Sequence, residues 1–259
     1  MNIEIISSFY GVISRIGDPG FKASVIDENG RLMQNRWTNM CRKTADHGAT
    51  GLREMPFWLE KTGDHVFAPY VFHDGSYDLD RFNPLYFENL RRIAETANRF
   101  NLTFYFSLYE HCNIKPRNRK REFVPWTNCI QQLSDAWYGT DAHRFRDAWE
   151  NKVLETFAGL NVGYELCNEP DGDSDNYEKF LLDTYKHLSR AGVEDGDILT
   201  GVEFHLDQNK NRRYRQFKKL LKKTFGDDWY HRQKHKWFTV IHNINPDDWK
   251  ELEQQEGHT

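Results

Sequence analysis

The sequence predicts an α/β fold in which parallel strands, each followed by a helix, close or nearly close into a barrel. Short apolar runs alternate with stretches of helical periodicity along most of the chain, and this alternation is typical of parallel sheets covered by helices. No glycine-rich phosphate-binding loop follows the first predicted strand, which argues against a nucleotide-binding sheet. Each strong strand instead ends in polar or aromatic residues, and side chains from several strand ends converge only when the strands close or nearly close.

The predicted elements follow from local patterns. Asn-Gly between apolar flanks indicates a hairpin, helical recurrence of apolar residues indicates a helix, and nearly continuous apolar runs indicate buried parallel strands. In chain order the patterns give a β-rich segment at 1–36 with a strand at 3–6 and a hairpin within 21–33, a helix at 37–47, a short strand carrying Arg53, a loop at 66–77, a helix at 84–100, a strand at 102–109, an irregular segment at 113–138, a helix at 141–157, a strand at 161–168, a helix at 177–191, a strand at 197–205, a basic helix at 212–225, a strand at 237–243 and a helix from 246. These amount to about six strand–helix units in a single domain spanning 1–259, so the expected architecture is a TIM-type (β/α) barrel, either complete or incomplete.

Composition excludes several classes of function. The formal net charge of −4 gives no overall field for nucleic acid or anionic membrane, and no run approaches the roughly 18 apolar residues of a membrane-spanning helix. Aromatic residues reach 15% while hydrophobic residues total only 38%, which favours a ring-lined surface or cleft in addition to a core. The first 12 residues lack a basic region and a cleavage site, so no signal peptide is predicted and a cytoplasmic location is the default expectation.

The four cysteines predict neither a metal site nor a redox centre. Cys41, Cys112, Cys129 and Cys167 are widely spaced and contain no CxxC pair. Reduced, buried thiols are the expected state, and no cofactor is predicted.

The chain is organised around Asn168-Glu169-Pro170. Mostly apolar residues lead up to Cys167, and Pro170 breaks the helix that would otherwise follow directly. Glu169 is therefore predicted at the carboxyl end of a buried strand, which is the edge where parallel α/β proteins carry their chemistry.

At these residues the sequence resembles the clan of retaining (β/α)8 glycoside hydrolases that includes family-five cellulases and mannanases. Gly51-Leu52-Arg53 resembles the second strand with its arginine, and Asn168-Glu169-Pro170 resembles the fourth strand, whose glutamate is the general acid/base. Val240-Ile241-His242 lies where the clan has a substrate-contacting histidine on the sixth strand. The resemblance covers residues 40–245 and implies hydrolysis of O-glycosidic bonds in a polysaccharide or oligosaccharide.

One departure from the clan concerns the nucleophile. The clan carries a second glutamate at the end of the seventh strand, whereas the late acids Glu251, Glu253 and Glu256 lie in a polar, helix-like tail. The chain is then either a truncated, split or degenerate barrel, or a barrel whose N-terminal strands supply part of the closure.

Glycoside hydrolysis needs two carboxyl groups facing each other across the scissile bond. Glu169 is the candidate acid, with a helix-capping role as the alternative. Glu203 is the candidate partner carboxylate, although a structural or substrate-contacting role is also consistent with its place one strand further on. Glu165 lies four residues back, about 13 Å down the strand, and is therefore expected to be a buried, paired acid.

Further side chains are candidates for binding a saccharide, because hydroxyl groups need polar partners and sugar rings stack on aromatic faces. Core salt bridges, ordinary ring packing and structural histidines are the alternatives. The candidate substrate-binding residues are Arg53, Trp58, Tyr109, His111, Trp126, Trp137, Asn168 and His242.

Two hypotheses remain beside that of an active hydrolase. One is a non-catalytic carbohydrate-binding or structural relative that keeps the fold and lacks the nucleophile, and the other is an unrelated α/β partner protein. The expected ligand is a carbohydrate, with no nucleic acid and no membrane, since the basic stretch 210–223 suits a solvated outer helix. The N-terminal segment or a second copy of the chain is expected to cover open barrel edges.

Overall fold

The computed structural model describes residues 6–9, 25–27, 29–57, 64–114, 125–126, 137, 139, 142–168, 175–199, 219 and 222–223. The strands are β1 (Ile6–Phe9), β2 (Gly51–Glu54), β3 (Tyr70–His73), β4 (Ser76–Phe82), β5 (Thr103–Ser107), β6 (Val162–Glu165) and β7 (Ile198–Leu199). The helices are α1 (Gln34–Asp46), α2 (Pro84–Arg99), α3 (His111–Ile114), α4 (His143–Phe157) and α5 (Asp175–Arg190), with 3-10 turns at Asp64–Phe67 and Asp195–Asp197.

Five strands form one parallel sheet in the order β1-β2-β5-β6-β7. The spatial order of these strands follows their order in the chain without reversal. A doubly wound sheet would reverse direction at a switch point, so the observed order is that of a singly wound, barrel-type sheet. Within the described residues the sheet remains open, with β1 and β7 at its two edges. The predicted parallel α/β architecture is therefore confirmed, while closure of the barrel stays a prediction.

The helices are positioned by caps and by indole hydrogen bonds. Asn83 caps α2 by accepting a hydrogen bond from the Leu85 amide at 3.1 Å, and Pro84 supplies the fixed φ that suits a first helical position. The Trp37 indole of α1 donates to the Ile93 carbonyl of α2 at 3.0 Å. The indole hydrogen bond holds α1 against α2.

Tyr105 of β5 requires a glycine on each neighbouring strand. A Cβ added at Gly51 of β2 would lie 2.7 Å from the Tyr105 ring, and one at Gly163 of β6 would lie closer still. Non-bonded carbon atoms do not approach this closely in packed interiors. The two glycines therefore let the phenol ring, which is 4% exposed, lie across three strands.

The loop predicted at 66–77 is wrong. The structure has an antiparallel hairpin there, in which β3 pairs with β4 and His73 lies opposite Ser76. The two turn residues, Asp74 (φ 50°) and Gly75 (φ 80°), have the positive φ angles of the tight turn favoured in hairpins. An Asp-Gly pair between β-forming residues is the sequence signal for this hairpin.

Most other predicted elements agree with the structure to within a few residues. The hairpin turn near Gly30 is confirmed by the antiparallel bridge between Ile26 and Leu32. Cys41 and Cys167 are both buried thiols, as the sequence predicts. Helical backbone is described at 219, 222 and 223, and the elements predicted at 237–243 and from 246 lie outside the described residues. None of the helices in the described part of the chain combines the length and apolar character that crossing a bilayer requires.

Candidate functional site

A buried ion pair lies where β2 and β6 end. Arg53 of β2 donates two hydrogen bonds to Glu165 of β6, from Nε to Oε2 at 2.9 Å and from Nη2 to Oε1 at 2.8 Å. Arg53 is 2% exposed and Glu165 is 0% exposed. Planar guanidinium and carboxylate groups match each other in this two-bond geometry. The expectation that Glu165 is a buried, paired acid is confirmed.

Asn168 joins this pair to a second acid. The Arg53 guanidinium donates to Asn168 Oδ1, and Asn168 Nδ2 donates to Oε2 of Glu110, which follows β5. The Asn168 amide N–H also donates to the Tyr109 carbonyl at 2.8 Å, and Glu110 and Asn168 form an isolated parallel bridge. We call Glu165, Arg53, Asn168 and Glu110 the strand-end network. It fixes the side chain of Asn168, which is 2% exposed, at the carboxyl edge of the sheet.

The residue that follows this network is Glu169, the predicted general acid. Glu169 lies outside the described residues, as do Trp58, Glu203 and His242. His111 is described as the first residue of α3, without its side chain. The roles of these residues stay predictions. For Arg53 and Asn168, the structure gives buried positions with protein partners, and a contact with substrate also stays a prediction.

The three remaining aromatic candidates pack against one another. Trp126 stacks on Trp137 with ring centroids 5.1 Å apart and contacts Tyr109 at 5.3 Å. All three residues are at most 3% exposed. Among the described residues these three rings therefore pack in the core, which is the alternative to sugar binding. A saccharide cleft formed by the aromatic candidates together stays a prediction.

Glu150 of α4 is a buried acid for which the sequence predicts no role. Its Oε1 accepts hydrogen bonds from the Tyr109 hydroxyl at 2.8 Å and from Thr184 Oγ1 of α5 at 3.0 Å. Burial raises the pKa of the Glu150 carboxyl to about 7, although these hydrogen bonds and the charge of Arg146 partly oppose the shift. The available signal was its position beside Trp149 on a helix whose apolar residues face the sheet.

Two further acids end or follow strands in the same region. Glu54 closes β2 and Glu110 follows β5, and each is 1% exposed. The sequence predicts no role for either acid. Burial, with the charge of Glu54, raises the pKa of the Tyr86 hydroxyl well above its ordinary value. Carboxyl groups are therefore concentrated at the carboxyl edge of the sheet.

No protein-family profile matches this chain, and no curated protein sequence matches it. Solved structures do show similarity. One is a trimodular GH5_4 subfamily endoglucanase, with 14% identity, a TM-score of 0.48, and coverage of 84% of this chain and 37% of the other. A second is the hyperthermostable endo-1,4-β-D-mannanase from Thermotoga petrophila RKU-1, solved with maltose and glycerol, with 16% identity, a TM-score of 0.45, and coverage of 77% and 55%. A third is the β-glucosidase from Thermotoga maritima, with 16% identity, a TM-score of 0.45, and coverage of 82% and 52%.

The chain spans about half or less of the length of these enzymes. Identities at this level relate folds and not activities, and the TM-scores are all below 0.5. The fold assignment therefore rests on the order and register of the sheet itself.

Proposed function

We propose that the chain is a glycoside hydrolase-like protein that acts on O-glycosidic bonds of a polysaccharide or oligosaccharide, with Glu169 as general acid/base. One observation carries the proposal: the strand-end network fixes Asn168 at the carboxyl edge of the fourth parallel strand. Because Glu169 is bonded directly to Asn168, we expect the network to restrict where Glu169 can lie. Catalytic groups need this kind of support, since small misplacements reduce rates strongly.

The network suits a positioning role better than direct contact with a sugar. Both polar atoms of the Asn168 side chain have protein partners, and the Arg53 guanidinium already holds a carboxylate. Glu169 would donate its proton to the leaving oxygen and later accept one from water. An acid in this role must hold its proton near neutral pH, which burial or neighbouring negative charge achieves.

Glycoside hydrolysis also requires a second carboxyl group across the scissile bond from Glu169. Glu203 follows β7, one strand beyond the strand of Glu169, and is proposed as the partner. A separation of about 5–5.5 Å between the two carboxyl groups would retain the anomeric configuration, and about 6.5–9.5 Å would invert it. The stereochemistry of the product therefore tests which separation the pair adopts.

A non-catalytic carbohydrate-binding or structural relative is the second candidate. The observation that favours its structural form is the burial of Tyr109, Trp126 and Trp137, which pack against one another and are at most 3% exposed. Rings that stabilise a core do not need a hydrolytic site beside them.

The test is a hydrolysis assay of the full chain on soluble glucans, mannans and aryl β-glycosides, with substrate binding measured in parallel. We expect Glu169→Gln to abolish hydrolysis while leaving binding and the unfolding temperature unchanged. Glu95→Gln, which alters a half-exposed acid of α2, is the matched control and should keep full activity. Binding without hydrolysis by the unmodified chain would support a carbohydrate-binding relative, and the absence of both would contradict the hydrolase and favour a structural relative.

A further inference from the structure

Two carboxylate oxygens and one imidazole nitrogen lie close together between α4 and α5, outside the strand-end network. Asp147 and Glu150 lie on one face of α4, and His187 faces them from α5. One carboxylate oxygen of each acid and one imidazole nitrogen all lie within 4.8 Å of one another. His187 Nδ1 is 3.7 Å from Asp147 Oδ1 and 3.8 Å from Glu150 Oε2.

The imidazole is oriented so that its free lone pair faces the two acids. His187 Nε2 lies 2.9 Å from Oδ1 of Asn151, one turn of α4 beyond Asp147. An amide oxygen can only accept, so Nε2 carries the hydrogen and Nδ1 of the neutral ring is an acceptor. Histidines that bind metals are held in this way, by donating the other ring N–H to an oxygen.

Glu150 brings a buried carboxylate with one unused oxygen. The side chain is 2% exposed, and its Oε1 accepts from Tyr109 and Thr184. Oε2 receives no hydrogen bond from any residue in the described part of the chain, and it points toward His187 Nδ1. The 3.7 and 3.8 Å separations are too long for a hydrogen bond. When Glu150 is ionised and the His187 ring is neutral, three acceptor atoms therefore face each other.

We propose that Asp147, Glu150 and His187 bind a divalent transition metal of the zinc class, which fastens α4 to α5. One nitrogen and two carboxylate oxygens are ligands that zinc accepts, whereas magnesium and calcium favour oxygen alone. Ligands about 2.0–2.1 Å from a tetrahedral ion lie roughly 3.3 Å apart, so a small inward movement of the side chains completes the site. The exposed side of Asp147, which is 59% exposed, admits the ion and leaves a position for water.

Titration of the chelator-treated full chain with zinc chloride, followed by calorimetry at neutral pH, tests the proposal. We expect one site per chain, with affinity reduced at least tenfold in Asp147→Asn and in His187→Ala. Asn151→Ala should reduce affinity about tenfold, as is common when the partner of a ligating histidine is removed. Because Asp147 is exposed, its variant should fold normally, which keeps the test independent of stability.

His73→Ala is the matched control, since His73 also lies beside an acid, at 3.1 Å from Asp74, but on the exposed β3–β4 hairpin. It should bind zinc like the unmodified chain. Substitution with cobalt should give visible absorption bands of a low-symmetry site that vanish in His187→Ala. Equal zinc affinity in all variants, or tighter binding of magnesium than of zinc, would overturn the proposal. None of these readouts depends on carbohydrate or on Glu169.

Discussion

Arg53 and Glu165, which are 112 residues apart in the chain, form a two-bond ion pair inside the protein, with at most 2% of either side chain exposed. The pair joins the second and fourth strands of the parallel sheet across β5. Asn168 and Glu110 extend it to the end of the third strand. The carboxyl edge of the sheet is thus held by polar contacts between buried side chains.

Glu165→Gln should reduce the free energy of unfolding by about 3–5 kcal/mol, because a buried guanidinium loses its charged partner. Urea unfolding followed by tryptophan fluorescence measures the loss. Asp80→Asn is the control: it breaks the Arg144–Asp80 pair, which is 63% and 48% exposed, and should cost less than about 1 kcal/mol. Similar losses in both variants would show that burial adds nothing to the Arg53–Glu165 pair.

Asn168→Asp should destabilise the protein by about 1–3 kcal/mol at pH 7, since Glu110 then loses a donor and faces a second carboxylate. At pH 5 the deficit should shrink, because one proton shared between the two carboxyl groups restores a hydrogen bond. Asn161→Asp, at an exposed asparagine before β6, should show no comparable pH dependence. A deficit for Asn168→Asp that is equal at both pH values would contradict the contact with Glu110.

Gly163→Ala should reduce stability by about 1–3 kcal/mol or more, because the new methyl group overlaps the Tyr105 ring. In a Tyr105→Ala background the same change should have almost no further effect. Gly159→Ala is the matched control: Gly159 has φ 79° and open space around it, so its cost should persist in both backgrounds. A thermodynamic cycle of these variants measures the coupling.

Stability should fall as the pH rises from about 4.5 to 7, in a way that depends on Glu150. Its folded-state pKa of about 7 lies above the ordinary 4.5, so the folded protein holds this proton more tightly than the unfolded chain. The stabilisation of the folded state by protonated Glu150 is complete below pH 4.5 and is lost as the pH rises through 7. It amounts to about 3 kcal/mol in total.

Glu150→Gln should remove this part of the pH dependence, whereas Glu155→Gln, at a 71% exposed site on the same helix, should keep it. Thermal unfolding from pH 4.5 to 8 with a chelator present makes the comparison. The groups facing Glu150 are Tyr109, Arg146, Asp147, Thr184 and His187. Persistence of the slope in Glu150→Gln would assign it to another group among them.

Sequence patterns predicted the strands of the sheet more completely than the side-chain contacts between them. The strand carrying Arg53 and the strand before Asn168 were recognisable because apolar runs ending in polar residues are local features. The pairing of Glu165 was also predictable, since a charged residue deep in a buried strand needs a partner. The hairpin at β3–β4 was not predicted, because residues such as Pro69 and Gly75 occur in loops as well as at the ends and turns of hairpins.

The site between α4 and α5 could not be read from spacing. Asp147 and Glu150 share a helix face, but His187 reaches them only because α5 packs beside α4, which no local pattern encodes. The burial of Trp126 and Trp137 was equally hidden, because an aromatic residue in a long connection suits a cleft and a core alike.

The register of the parallel sheet has a consequence for how the chain folds. Ile6 pairs with Gly51, Gly51 with Thr103, and Phe104 with Val162, so these ladders join residues on the order of 50 positions apart and each must close a long loop. The β3–β4 hairpin joins near neighbours through a two-residue turn. We expect this hairpin and the helices to form early, and the central sheet to assemble late and slowly, with its strand edges exposed to self-association until the last strand docks.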